Sequence, residues 1–421
     1  MDRLKSGGIG VILALSVETD VEKQDEEGKV KLRELCNQKA DETTQITKQC
    51  ILSASTQPGS FVAVKVSALT SPLLLQTVTR SLSQLYGSFE EHASAQTMSQ
   101  NQVCHVVAQH RGQVNVDENV LEIVHSSSYN EIDMVEFKHM LLLDRPVVLN
   151  LFSNVLSSQD KQDWWQMLSR LDEICSLAKS CGVKILIDAE QTYLQLAIDQ
   201  AALVMEQRHN KLGACPTVYN TYQMYTKVAA QKLEWDLLAA ERHGYGLGVK
   251  LVRGAYMRAA EAGYPDPIHD TLNDTHESYH GAIRLLLNRL HVAQDTAGEP
   301  VTEKNSPLSV VIASHNRESI MFACKELLDQ NISFQSGVVY FGQLYGMCDS
   351  ISYTLSAYGI PVFKYLPFGE IEQVMPYLIR RAQENAAILD RTTTEREIIK
   401  DELKYRLLGT HSSGEKTTGL I

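Results

Sequence analysis

The stretch YLIRRAQEN, residues 377–385, puts Tyr377, Arg380, Arg381 and Glu384 at i, i+3, i+4 and i+7, one face of a helix if the segment is helical. Adjacent arginines repel, so a pair beside a pocket is stable where an anion lies against them. A guanidinium fork meets a carboxylate in two parallel hydrogen bonds, and Glu384, one turn on, can pair with an arginine and hold it in position. The same spacing also fits a solvated face whose ion pair contributes little. A second set of polar residues closes several apolar runs: Lys65, Asp188 with Glu190, Asn220, Lys250 with Arg253, Ser314 with His315 and Asn316, and Tyr365. Lys65 and Lys250 could form a Schiff base, sit beside an anionic substrate or cofactor, or make structural ion pairs with Asp188 or Glu190. His315 could join Asp188 and Glu190 on a metal. No second histidine stands at a strand end with suitable spacing, so a hydrogen bond to a cofactor is the better reading and no metal site is expected.

The elements that must position these residues are short, apolar, β-rich runs: 8–16, 61–69, 183–190, 216–223, 248–256, 308–316, 338–344 and 361–369. They are apolar throughout rather than alternating, which suits parallel strands covered on both faces, and helical stretches between them supply the crossovers. Eight strand-helix units predict an α/β fold, a (β/α)8 barrel. A ninth candidate strand, RPVVLNLF (145–152), leaves the count open on periodicity alone. Barrel enzymes assemble their sites at the C-terminal ends of the strands, where these polar residues stand. The glycines of HGYGLGVKLVRGAY (243–256) precede a strand instead of opening a helix, so they are not a dinucleotide fingerprint. Residues 70–160 exceed one crossover and read as a helical insertion after strand 2. Within it HSSSYNEIDMVEF (125–137) has the tail of a calcium loop, with Ile132, Asp133 and Glu136 at the eighth, ninth and twelfth positions. His125, Ser127 and Tyr129 stand where acidic oxygens are needed and Asn130 where glycine is, so a helix pair kept for packing is expected rather than calcium binding. Residues 1–390 read as one barrel domain, and 391–421 as a C-terminal helix and disordered tail.

Composition narrows the partners. With 421 residues, 44% hydrophobic, the chain can bury a large core. Its 51 acidic and 39 basic residues give a formal charge of −12 with no basic run, which argues against nucleic acid. Eight cysteines without a C-x-x-C pair fit a reduced compartment. No apolar run reaches a membrane span, which leaves contact with a membrane surface open. The start, MDRLKSGGIGVILALS, has neither signal-peptide nor transit-peptide layout; a targeting segment, if the native protein carries one, is absent from this chain.

Taken in order, VKVSAL (64–69), LIDAE (186–190), NTYQ (220–223), KLVRGAYM (250–257), ASHN (313–316), FGQLYGMCD (341–349), FKYLPFG (363–369) and YLIRRAQEN resemble the proline dehydrogenase family, flavoenzymes that oxidise L-proline to 1-pyrroline-5-carboxylate. VYFGQLYGMCD and the long insertion resemble its eukaryotic, mitochondrial branch. The resemblance implies a (β/α)8 barrel whose last helix covers the strand ends, and assigns the ninth strand candidate to the insertion. It implies that Arg380 and Arg381 bind the substrate carboxylate with Lys65 beside them, and that Glu384 pairs with an arginine as the site closes. Tyr365, Tyr377 and Leu344 match residues covering the pyrrolidine ring, and Asp188 and Ala189 the floor of the site. Non-covalent FAD is the implied cofactor. Asn220, Lys250, Val252, Arg253, Ala255, Tyr256, Ser314, His315 and Arg381 match positions around it. It further implies a quinone electron acceptor and the matrix side of the inner mitochondrial membrane.

Two positions depart from bacterial members, Lys250 standing for an arginine and Asn220 for a glutamine. The family's helices ahead of the first strand have no counterpart in this sequence, nor has the aldehyde dehydrogenase domain of bacterial versions, so the imine product is expected to leave for another enzyme. A bulky Tyr365 favours L-proline over trans-4-hydroxy-L-proline. Other readings are a hydroxyproline dehydrogenase, a Schiff-base aldolase and a catalytically silent partner protein.

Overall fold

The computed structural model describes residues 2–15, 26–57, 59–93, 96–112, 116–254 and 267–369, with isolated helical positions between 371 and 407. The strands are β1 (Gly10–Leu15), β2 (Phe61–Val64), β3 (Thr97–Ser99), β4 (Glu131–Asp133), β5 (Lys184–Ile187), β6 (Val218–Gln223), β7 (Leu247–Val252), β8 (Leu308–Ala313), β9 (Val339–Leu344) and β10 (Val362–Phe368). The helices are α1 (Asp2–Ser6), α2 (Glu26–Ala54), α3 (Pro72–His92), α4 (Gln100–His110), α5 (Glu118–His125), α6 (Met134–Met140), α7 (Pro146–Asn150), α8 (Ser158–Ser180), α9 (Thr192–His209), α10 (Ala229–His243), α11 (Leu272–Ala297), α12 (Arg317–Asp329) and α13 (Asp349–Ala357). Eight strands pair in parallel in the closed order β1-β10-β9-β8-β7-β6-β5-β2. All eight expected strand runs are present, and the architecture is a (β/α)8 barrel.

The ninth candidate is not a strand. Pro146 opens α7 there, following an extended Arg145, and proline at a first helical position has its φ set for the helix and no N–H to lose. Residues 97–150 form an excursion from the barrel between α3 and α8. Two helix–strand–helix units, α3–β3–α4 and α5–β4–α6, join through an antiparallel pair in which Met98 faces Ile132. Asp133 caps α6 by accepting the Glu136 N–H at 2.9 Å.

Strand alternation sorts the barrel into two cores. Val62, Val64, Ile185, Ile187, Val218, Tyr222, Val249, Leu251, Val310 and Ile312 face out into the helix layer. The alternate residues form a separate cluster inside the barrel: Ile12, Ala14, Phe61, Ala63, Leu186, Tyr219, Val311, Tyr340 and Phe363, with Tyr365 against it. At the N-terminal end the rings of Phe61, Tyr340 and Phe363 meet edge to face with centroids 4.9–5.6 Å apart, and Tyr219 packs on Phe61 at 5.7 Å. Glycine makes room for them. A Cβ at Gly10 would lie 2.3 Å from the Phe363 ring, and one at Gly248 2.2 Å from the Val218 carbonyl oxygen. Below this plug Lys184 pairs with Glu303 at 2.8 Å, and the Tyr340 hydroxyl donates to the same carboxylate at 2.7 Å.

Candidate active site

The opposite end is built differently. Near the ends of four strands stand small inward residues, Ala14, Ala63, Ala313 and Gly342, beside Val311 and Leu344. The three atoms nearest to a Cβ at Gly342, on Val311, Ile12 and Ala313, would lie at 3.5–3.7 Å, ordinary contact distances, and the four small residues form a crown within the upper barrel. Above it stand the inward residues that continue the same alternation: Lys65, Asp188, Lys250 and Tyr365.

These four form one constellation. Asp188 Oδ1 accepts from Lys250 Nζ at 2.6 Å, and Asp188 Oδ2 from the Tyr365 hydroxyl at 2.7 Å. The Lys250 ammonium also lies 5.4 Å from the centre of the Tyr365 ring. Burial raises the Asp188 pKa, but Lys250, then Lys65, outweigh it, and the carboxyl titrates below its ordinary value. Asp188 is therefore an anion at neutral pH that fixes a cation and a phenol at once.

Glu190 supports the group from the side. Its carboxylate accepts the Ser67 N–H at 3.0 Å and the Ser67 hydroxyl, in the 3-10 turn that follows Lys65. Burial dominates and raises its pKa, against the lowering effect of Lys65 and Ser67. Thr221, paired in register with Lys250, faces the same lumen and donates to the Ile187 carbonyl at 2.7 Å. Leu344, half-buried and in register with Tyr365, closes the β9 side. Val252 is half-buried at the end of β7 and Ala189 is buried between the two carboxylates.

Two expected site residues, Asn220 and Arg253, do not point into the lumen, and Ser314 and His315 are engaged by backbone groups. Asn220 is fully buried and turned outward, its amide donating to Asp199 on α9 at 3.3 Å. The strand pleat presents its neighbours Tyr219 and Thr221 inward instead. Arg253 also lies outside the barrel wall, bonded to Ser319 at 2.5 Å and to His276, and stacked over Tyr279. The Ser314 hydroxyl accepts the Asn316 N–H at 3.1 Å. His315 Nε2 accepts the Leu344 N–H at 2.9 Å, and burial with nearby Lys364 lowers its pKa to about 4. It therefore anchors β9 through a neutral ring. Ala255, Tyr256, Tyr377, Arg380, Arg381 and Glu384 lie outside the described residues, as does most of the expected C-terminal helix.

The crown of small residues was not anticipated, because the reading followed polar residues at strand ends. Counting every second residue back from Lys65 to Ala63 would have found part of it.

A closed parallel barrel with a buried acid, cations and a phenol gathered at its C-terminal mouth defines a (β/α)8 enzyme scaffold. The family model for proline dehydrogenase matches residues 1–394, and the chain belongs to the proline dehydrogenase family. Proline dehydrogenase 1, mitochondrial, of Caenorhabditis elegans is 32% identical over 406 residues, covering 90% of this chain and 63% of the relative. The Homo sapiens protein of the same name is 38% identical over 256 residues, 60% of this chain and 40% of the relative. Hydroxyproline dehydrogenase of Bos taurus is 37% identical over 260 residues, 60% of this chain and 54% of the relative. The chain thus spans less than two thirds of the length of each. Proline utilization A from Bdellovibrio bacteriovorus shares the fold with a TM-score of 0.57 at 15% identity, covering 91% of this chain and 31% of that one.

Proposed function

We propose that the chain oxidises L-proline to 1-pyrroline-5-carboxylate with FAD as its cofactor. The observation that carries this reading is the Lys65–Asp188–Lys250–Tyr365 constellation standing over a crown of small residues. An alanine and glycine crown admits a flat ring system that the aromatic plug at the other end would exclude, and cations at its rim suit a group that gathers negative charge. When bound, FAD supplies the two-electron acceptor for hydride leaving substrate C5.

The side chains fix geometry and charge. Lys250 and Lys65 favour negative charge at the mouth, and Asp188 holds Lys250 and Tyr365 so that neither reorganises during reaction. Tyr365 forms a wall over the substrate ring, with Leu344 beside it. Arg380 and Arg381, steadied by Glu384, clamp the carboxylate, and Tyr377 completes the cover. The amine proton leaves to solvent as the C–N double bond forms, so no dedicated base is needed. The pairing of Lys250 with Asp188 favours an electrostatic role for this lysine over a Schiff base.

Electrons pass on to a quinone. The relatives' names support a mitochondrial location, and contact with the matrix side of the inner membrane would be peripheral, since no helix among the described residues is long and apolar enough to span. The test is the visible spectrum of the purified chain, with and without added FAD, followed by anaerobic L-proline. A band at about 450 nm that bleaches supports the reading; a flavin that stays oxidised with proline, or a chain that takes up none, removes it. Relatives named hydroxyproline dehydrogenase make trans-4-hydroxy-L-proline the second substrate to try. Tyr365→Ser should raise its kcat/KM relative to proline about tenfold or more, and an unchanged ratio would dismiss Tyr365 as the selector.

A further inference from the structure

We propose that Glu136, His139 and His243 form a site for one divalent transition-metal ion of the zinc class, at the seam between the excursion and the barrel. Glu136 and His139 stand at i and i+3 on one face of α6, and His243 is the last residue of α10. One donor atom from each lies within 4.8 Å of the other two. Glu136 is 3% exposed, yet its Oε2 makes no hydrogen bond, and neither does His243 Nε2, although the two atoms are 3.2 Å apart. A buried carboxylate oxygen without a donor is costly unless something supplies the missing charge.

The neighbouring cation does not. Arg242 approaches Glu136 only to 4.0 Å and is committed to Asp133 by two hydrogen bonds of 2.7 and 2.8 Å. Meanwhile the His139 and His243 rings lie face to face, centroids 3.3 Å apart and 4° from parallel. An ion held by Glu136 Oε2 and a nitrogen from each ring would satisfy all three. Donors around tetrahedral zinc are roughly 3.4 Å apart, so the change required is a turn of one ring out of the stack.

Two imidazoles and one carboxylate suit zinc and similar ions, whereas calcium takes oxygen ligands. The site is therefore distinct from the degenerate calcium-loop pattern, at whose twelfth position Glu136 stands. It would tie α6 to α10, helices already joined by the Arg242–Asp133 and Lys138–Asp236 pairs. The competing account is a plain His243–Glu136 ion pair.

The full chain is stripped with a chelator and titrated with zinc chloride, following bound metal and melting temperature. One equivalent is expected that His139→Asn and His243→Asn each lose, with a rise of several degrees in melting temperature for the wild type in zinc and none in calcium. Because eight free cysteines can also take zinc, the difference between wild type and variants is the quantity read. X-ray absorption of the wild-type zinc complex gives an answer that does not depend on the variants folding, with two imidazoles expected in the shell. Equal stoichiometry in wild type and folded variants, an all-sulfur shell, or a calcium response matching zinc would overturn the proposal.

Discussion

The two ends of the barrel use the same alternation of inward side chains for opposite purposes. At the N-terminal end four aromatic rings fill the lumen, glycines at Gly10 and Gly248 accommodate them, and the Lys184–Glu303 pair closes the exit. Toward the C-terminal end four strands turn alanine or glycine inward, at Ala14, Ala63, Ala313 and Gly342, and charged groups stand beyond them. Ion pairs thus stand at both ends, and we propose that they are structural at one and serve the reaction at the other. Both lysines lie over aromatic rings, Lys184 over Phe61 and Tyr340 and Lys250 over Tyr365, and what separates the two ends is the size of the inward residues beside them.

The largest test of that contrast is Lys250→Met. It should lower kcat/KM for proline about 100- to 1000-fold, measured in steady state with an artificial quinone, while circular dichroism stays native. A loss under tenfold would mean that the mouth is as structural as the floor. Phe61→Ala should do the reverse, costing about 3–5 kcal/mol in urea unfolding with kcat of the folded enzyme unchanged. A matching fall in kcat would show the two ends to be coupled.

The crown is tested by Gly342→Phe, which fills the opening and should cut flavin bound per chain about tenfold or more. Gly342→Ala, whose Cβ finds ordinary contacts, should retain it. Equal flavin content in both would remove the crown from the cofactor site.

The smallest effect is in pH. Asp188, with its pKa lowered, contributes stability that is present above the ordinary aspartate range and lost as pH falls through its folded-state value. Glu190, with its pKa raised, contributes stability present below the ordinary glutamate range and lost as pH rises through its folded-state value. In thermal melts from pH 4 to 8, Glu190→Gln should flatten the decline on the rising side and leave the acid limb in place. A wild-type profile would show that Glu190 is balanced by its partners.

The eight barrel strands were readable because parallel barrel strands are apolar on both faces. RPVVLNLF left the count open because a short apolar run has no length to distinguish strand from helix, and its proline was the better guide. Asn220 misled for a different reason: a buried asparagine can be satisfied from the helix layer as well as from the lumen, and only the pleat says which. The Glu136–His139–His243 cluster could not be seen from spacing, since His243 comes from a helix far along the chain.

The barrel closes between Gly10–Leu15 and Val362–Phe368, and Ser356 binds the Gly7 carbonyl across 349 residues of sequence. During synthesis, then, β1 must wait for nearly every other strand to emerge before its second neighbour exists. Until β10 arrives the sheet has two bare edges, a template for pairing with other chains. A ribosome that stalls before Val362 would release an aggregation-prone open sheet rather than a smaller enzyme.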